Sequence, residues 1–126
     1  MPQLTVNGQT INVEAGMRLV LAIEAAGVKI GHRCGGNARC TTCRVQFSAG
    51  EPETMTKAEY AKLKERELFG QYRLSCQCVC DHDMSVTPVM TAENQPQWNG
   101  DTGPAPAVTV TPEPVWFPIE LLKAEV

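Results

Sequence analysis

Among the side chains of this 126-residue sequence, the six cysteines are the best equipped for chemistry, and three of them stand close together. Cys34, Cys40 and Cys43 form a Cys-x5-Cys-x2-Cys pattern; Cys76 follows after 32 intervening residues, with Cys78 and Cys80 just beyond it. Thiolates are soft donors that suit iron–sulfur clusters, zinc and Cu(I). A two-iron centre needs two ligands for each iron, and a loop carrying three sulfurs with a distant segment carrying a fourth can close around it. A loop that passes close to inorganic sulfides has little room for side chains. Gly35, Gly36 and Ala38, with the small Thr41 and Thr42, meet that demand. Their backbone N–H groups can also point at the sulfurs and stabilise negative charge.

The surrounding chain supplies elements that would hold such a loop. Leu4-Thr5-Val6 and Ile11-Asn12-Val13 alternate apolar and polar residues around Asn7-Gly8, which predicts an opening hairpin with a tight turn. Between Met17 and Ala26, Leu19, Val20, Ile23 and Ala26 share one helical face, with Gly27 placed to end the helix. Val28-Lys29-Ile30 adds a short extended piece before the cysteine loop, and Arg44-Val45-Gln46-Phe47 returns to strand alternation after it. Thr56-Lys57-Ala58-Glu59 has capping-box spacing and predicts a helix running to about Leu68, with Tyr60 and Leu63 in the core. Met84-Ser85-Val86-Thr87 is the expected last strand. Seven of the nine prolines then lie between Pro88 and Pro118, so the segment after Met90 reads as an extended tail or linker. It ends in the apolar Val115-Trp116-Phe117-Pro118-Ile119-Glu120-Leu121-Leu122, suited to pack on its own domain or on a second copy in a homodimer.

Taken together, Cys34-Gly35-Gly36-Asn37-Ala38-Arg39-Cys40-Thr41-Thr42-Cys43 and Arg73-Leu74-Ser75-Cys76-Gln77 resemble the [2Fe–2S] ferredoxins of the adrenodoxin and bacterial type. That group has five residues between its first two cluster cysteines, where the plant-type loop has four. The resemblance covers about residues 1–90, leaving 91–126 as a Pro-rich C-terminal extension outside it. It implies an α+β, β-grasp fold: a twisted mixed sheet with a packed helix. It also implies that Cys34, Cys40, Cys43 and Cys76 bind a [2Fe–2S] cluster and that the protein shuttles single electrons between a reductase and an acceptor enzyme. Plant-type ferredoxins work near −400 mV, because an electron is added to an already negative centre. The acidic docking helix of adrenodoxin-like proteins is not matched here, since Lys57, Glu59, Lys62, Lys64, Glu65, Arg66 and Glu67 make a mixed surface.

On one continuous strand Cys76, Cys78 and Cys80 would share a face, and the sequence context makes Cys76 the ligand. Cys78 and Cys80 then read as small buried hydrophobes, poorly placed for a mutual disulfide. His32 and His82 lack the paired spacing of a Rieske centre and read as surface or hydrogen-bonding residues, while Arg33, Arg39 and Arg44 flank the loop. A net charge of −3 argues against nucleic acid as a partner, and no apolar run is long enough to cross a membrane. The opening Met-Pro-Gln-Leu-Thr-Val is neither a secretory nor a mitochondrial leader, so the expected address is cytoplasmic. An electron carrier transforms nothing chemically, so the chain is expected not to be an enzyme; with no glycine-rich dinucleotide fingerprint and no length for a flavin domain, it is expected to need a separate reductase. The competing readings are a redox-sensing or cluster-assembly [2Fe–2S] protein and a structural zinc module using Cys40, Cys43, Cys76 and Cys78.

Overall fold

A computed structural model of the chain describes residues 2–32, 35, 38, 41–98, 102–103, 108–111 and 114–123. In chain order these form β1 (Gln3–Val6), β2 (Gln9–Asn12), β3 (Met17–Arg18), α1 (Leu19–Ala25), β4 (Arg44–Ala49), β5 (Thr54–Thr56), α2 (Lys57–Glu65), β6 (Arg73–Leu74), β7 (Val79–Cys80), β8 (Met84–Pro88), β9 (Trp116–Pro118) and α3 (Ile119–Lys123). Two short 3-10 turns, Ser75–Gln77 and Pro96–Trp98, stand between them.

The hairpin forms where alternation places it. Asn7 and Gly8 take φ values of 51° and 84°, the left-handed pair that a two-residue turn between twisted strands requires. A five-stranded sheet then runs in the order β2-β1-β8-β4-β6. β1 and β8 are parallel, with Leu4 opposite Met84 and Val6 opposite Val86, whereas β4 is antiparallel to both β8 and β6. Leu4, Val6, Val45, Met84 and Val86 from the sheet share one buried core with Leu19, Val20 and Ile23 of α1 and Leu63 of α2. Burial of each such side chain contributes about 1.5–3 kcal/mol. This is the expected α+β, β-grasp arrangement of a mixed sheet and a packed helix.

Both main helices are shorter than their sequence patterns, for identifiable reasons. Met17 and Arg18 do not join α1, because they pair with Cys80 and Val79 as a separate small ladder. At its other end α1 stops as expected: Gly27 takes φ 89° while its N–H and that of Val28 bond back to Glu24 and Ile23. The same closure ends α2 at Glu65 rather than near Leu68. Glu67 adopts φ 58°, Glu67 N–H donates to Lys64, and Leu68 N–H donates to Leu63 at 2.7 Å. Tyr60 is half-buried in edge-to-face contact with Phe69, their centroids 5.2 Å apart.

The strand expected to carry all three later cysteines is interrupted. Ser75–Gln77 forms a 3-10 turn between β6 and β7, so Cys76 sits on the turn and Cys80 on the following strand. The described residues after Met90 are attached to the domain at several points. Ala92 N–H donates to Lys29, Thr91 bridges Ile30, β9 pairs with β5, and Leu122 is buried in the core. Helix α3 begins directly after Pro118, where no further proline breaks the backbone ladder.

Beneath the turn lies a buried ion pair. Glu59 is 0% exposed and Arg73 3%. Arg73 Nε donates to Glu59 Oε2 at 2.8 Å and Nη2 to Oε1 at 3.1 Å, while the Leu74 N–H donates to Oε2 at 2.8 Å. Thr56 caps α2 by accepting the Glu59 N–H, but the Glu59 carboxylate is committed to β6 instead of returning to the cap. One acid thereby ties α2 to the strand leading into Cys76. Glu59→Ala leaves the Arg73 charge buried without its main partner and is expected to destabilise the fold by about 3–5 kcal/mol, measured by denaturant unfolding.

Candidate metal centre

Strand β4 begins one residue after Cys43, and β6 ends two residues before Cys76. Their antiparallel register, Arg44 opposite Leu74 and Val45 opposite Arg73, brings Cys43 opposite Ser75 when continued by one step. The hydrogen bonds close that step: the Cys43 carbonyl accepts the Ser75 N–H at 3.1 Å and the Ser75 hydroxyl at 2.8 Å. Cys43 is 1% exposed and Cys76 0%. Two of the four expected ligands therefore lie on abutting, water-excluding segments although they are far apart in the chain. Cys34 and Cys40, with Arg33 and Arg39, lie outside the described residues.

The described part of the loop has the backbone its composition suggests. Gly35 and Ala38 take φ values of 72° and 56°. The left-handed conformation costs an alanine roughly 1–2 kcal/mol, a strain tolerated where surrounding structure imposes the path. Gly35 N–H donates to His32, and Arg44 Nη1 donates to the Thr41 carbonyl and hydroxyl, at 3.3 and 3.0 Å. Gly31 has no room for a side chain: a Cβ there would lie 2.6 Å from Cη2 of Trp98 and 2.9 Å from Cβ of Thr42. His32 is buried, with Nε2 3.2 Å from both Glu24 Oε2 and Thr102 Oγ1. His82 is half-exposed in the turn before β8, within 2.7 Å of the Gly50 carbonyl and 2.6 Å of Asp81. Each histidine is a hydrogen-bonding residue.

Arg18 is the functional candidate that sequence reasoning missed. Its side chain is buried, and Nε donates to the Cys76 carbonyl at 2.6 Å. The pairing of β3 with β7 brings it there, and no local signal in the helix-like run from Met17 announces that pairing. Gln77 is the second: its side-chain nitrogen lies 3.6 Å from Cys76 Sγ. Cys78 and Cys80 have the opposite character to reactive thiols. Burial pushes the Cys78 thiol well above its usual range, and burial together with Asp81 and Asp83 pushes Cys80 up to about 11. Both are buried and protonated at neutral pH, in keeping with their reading as small hydrophobes.

The donor set fits a [2Fe–2S] cluster. Cys43 and Cys76 are buried soft donors, a carboxamide nitrogen beside Cys76 Sγ and a guanidinium on the Cys76 carbonyl favour negative charge there, and the described loop backbone at Gly35 and Ala38 is held in conformations that suit small residues. The fold is of the β-grasp type. Residues 4–81 match the 2Fe-2S iron-sulfur cluster binding domain, and the chain belongs to that family of [2Fe–2S] electron carriers. It is similar to one subunit of the Na(+)-translocating NADH-quinone reductase of Chlamydia pneumoniae, with 36% identity over 93 residues, covering 72% of this chain and 21% of that protein. The chain thus spans about a fifth of the length of the curated relatives it matches. Among solved structures, an ISC-like [2Fe–2S] ferredoxin of Pseudomonas putida superimposes with a TM-score of 0.57 and 24% identity, over 69% of this chain and 91% of that one. The ferredoxin of Trichomonas vaginalis does so with a TM-score of 0.53 and 18% identity, over 68% and 96%.

Arg18→Met keeps the apolar stem but deprives the buried Cys76 carbonyl of a charged donor. A loss of about 1.5–3 kcal/mol is expected in denaturant unfolding, whereas Leu21→Met, on the outer part of α1, changes it by less than about 1.5 kcal/mol.

Proposed function

We propose that Cys34, Cys40, Cys43 and Cys76 hold the cluster and that the chain relays single electrons from a reductase to an acceptor enzyme. The observation that supports this most directly is the pairing of Cys43 with Ser75, which sets the end of the cysteine loop against the residue next to Cys76. When bound, a [2Fe–2S] cluster supplies reversible one-electron chemistry at low potential. The protein's part is to bind and to tune. Burial of Cys43 and Cys76 excludes water, the Arg18 guanidinium offsets negative charge, and the Glu59–Arg73 pair fixes the strand from which Cys76 is presented. A transfer centre gains from such rigidity, because little then has to reorganise as the charge changes.

The proposal assigns residues 1–90 to the cluster-carrying domain and 91–126 to an extension strapped onto it; the family match, which ends at residue 81, supports that division. The chain performs no bond-making chemistry of its own in this reading, and its address is cytoplasmic. Among the described residues no helix is long and apolar enough to cross a membrane. The partners are redox proteins. The relative from Chlamydia pneumoniae is named as part of an NADH-quinone reductase, which supports an electron source that draws on NADH. The exposed face of α2 mixes Lys57, Lys64 and Glu65, so docking is not assigned to an acidic patch. A second copy in a homodimer would meet the chain at the exposed Val115, Trp116 and Leu121. The raised thiol pKa of Cys80 weighs against the redox-sensing alternative, and membership of the [2Fe–2S] family weighs against the zinc module.

Cys76→Ser is expected to lower bound iron at least several-fold after anaerobic purification, while Cys78→Ser retains the wild-type content. Iron analysis alongside circular dichroism checks this, and the reverse pattern would move the fourth ligand to Cys78.

A further inference from the structure

Among the described residues, the extension reaches the ligand turn at Thr111. Gln77 Nε2 donates to the Thr111 carbonyl at 2.6 Å, and Arg18 Nη2 lies 3.5 Å from that carbonyl and 3.4 Å from the Thr111 hydroxyl. On the other side of the same carboxamide, the Thr56 hydroxyl donates to Gln77 Oε1 at 2.7 Å. Gln77 is 0% exposed, so water does not compete for these positions.

This arrangement settles which way the carboxamide faces. A peptide carbonyl can only accept, so at 2.6 Å the group turned toward Thr111 must be the nitrogen; the reversed amide would set two acceptors against each other. The Thr56 hydroxyl accommodates this orientation, accepting the Glu59 N–H and directing its own hydrogen at Gln77 Oε1. With the amide so held, its nitrogen also lies 3.6 Å from Cys76 Sγ, which stands for an iron-bound thiolate in the loaded protein. An amide nitrogen has two hydrogens, and here each has an acceptor.

We propose that the Gln77 carboxamide is an N–H donor to the Cys76 sulfur, oriented by the Thr111 carbonyl of the C-terminal extension, and that the extension thereby raises the potential of the centre. The proposal rests on the reading of Cys76 as a ligand. Donation to a ligand sulfur draws electron density away from the iron and stabilises the more negative, reduced state, which raises the reduction potential. Gln77 and Thr111 are positioning residues in this account. They take part in no transfer step, but they set how readily an electron is accepted. The extension is then more than a stabilising strap, because its Thr111 carbonyl, together with the Thr56 hydroxyl on the amide oxygen, fixes the orientation in which the nitrogen lies beside the sulfur.

The test is the midpoint potential of the full-length, cluster-loaded protein. Gln77→Met conserves volume but has no N–H, and a potential below that of the wild type is expected at unchanged iron content. Thr56→Val removes the hydroxyl that steadies the amide and should lower the potential by less, while Thr56→Ser should restore the wild-type value. In the Gln77→Met background Thr56→Val should add no further drop, since both act through one hydrogen bond. An unchanged potential in loaded Gln77→Met overturns the proposal, as does a fully additive double variant. Should Gln77→Met fail to load, equal potentials for Thr56→Val, Thr56→Ser and wild type overturn it instead. Failure of the ligand reading is distinguishable, because Cys76→Ser would then keep its iron.

Discussion

The site depends on two hydrogen bonds from Ser75 to the carbonyl of Cys43. They carry the β4–β6 ladder one step further, to the two segments that hold the proposed ligands Cys43 and Cys76. Without them the cysteine loop and the fourth cysteine would be two separate features of the chain. With them, a register set by Arg44 opposite Leu74 and Val45 opposite Arg73 determines where two buried sulfurs sit. Much of the remaining structure defends that register. The Glu59 carboxylate holds both the Arg73 side chain and the Leu74 backbone, and Arg18 holds the Cys76 carbonyl. Buried charges are costly to place, and both arginines are justified by the same short stretch of backbone.

The C-terminal extension reaches the same stretch at one point, Thr111. Its contacts are spread along its length: Ala92 on Lys29, Trp98 on Gly31, Thr102 on His32, Thr111 on Gln77, and β9 on β5. The first three fall on residues leading into the cysteine loop and the fourth beside Cys76, so the extension touches the chain on both sides of the expected ligand set. Segments rich in proline lose less conformational entropy on ordering, which lets such a strap be held by a few dispersed hydrogen bonds.

What was legible in the sequence was local. The Asn7-Gly8 turn, the Gly27 stop and the Thr56 cap each follow from the conformations and hydrogen bonds of a few adjacent residues, and each appears where the sequence puts it. What was hidden depends on contacts between distant segments. Nothing near Arg18 reveals that β3 pairs with β7, so a buried cation beside the Cys76 carbonyl looks, from its neighbours alone, like part of a helix. The alternation of Cys76, Cys78 and Cys80 imitates a strand, but the 3-10 turn at Ser75–Gln77 breaks it where Ser75 is drawn to Cys43. Proline content marked the extension as a tail without showing what it packs on, and Trp116–Pro118 and Ile119–Lys123 within it form a strand and a short helix. Of the four expected ligands, the described residues include Cys43 and Cys76.

In the proposed centre, a loop of small residues and a 3-10 turn, joined through Cys43 and Ser75, hold a pair of irons with their bridging sulfides. Electron paramagnetic resonance of anaerobically purified protein, before and after dithionite, tests it most directly, with iron and acid-labile sulfide measured on the same sample. A silent oxidised state and a rhombic signal on reduction are expected, with iron and sulfide in equal amounts. A colourless protein holding zinc, or one with neither iron nor sulfide, would contradict it.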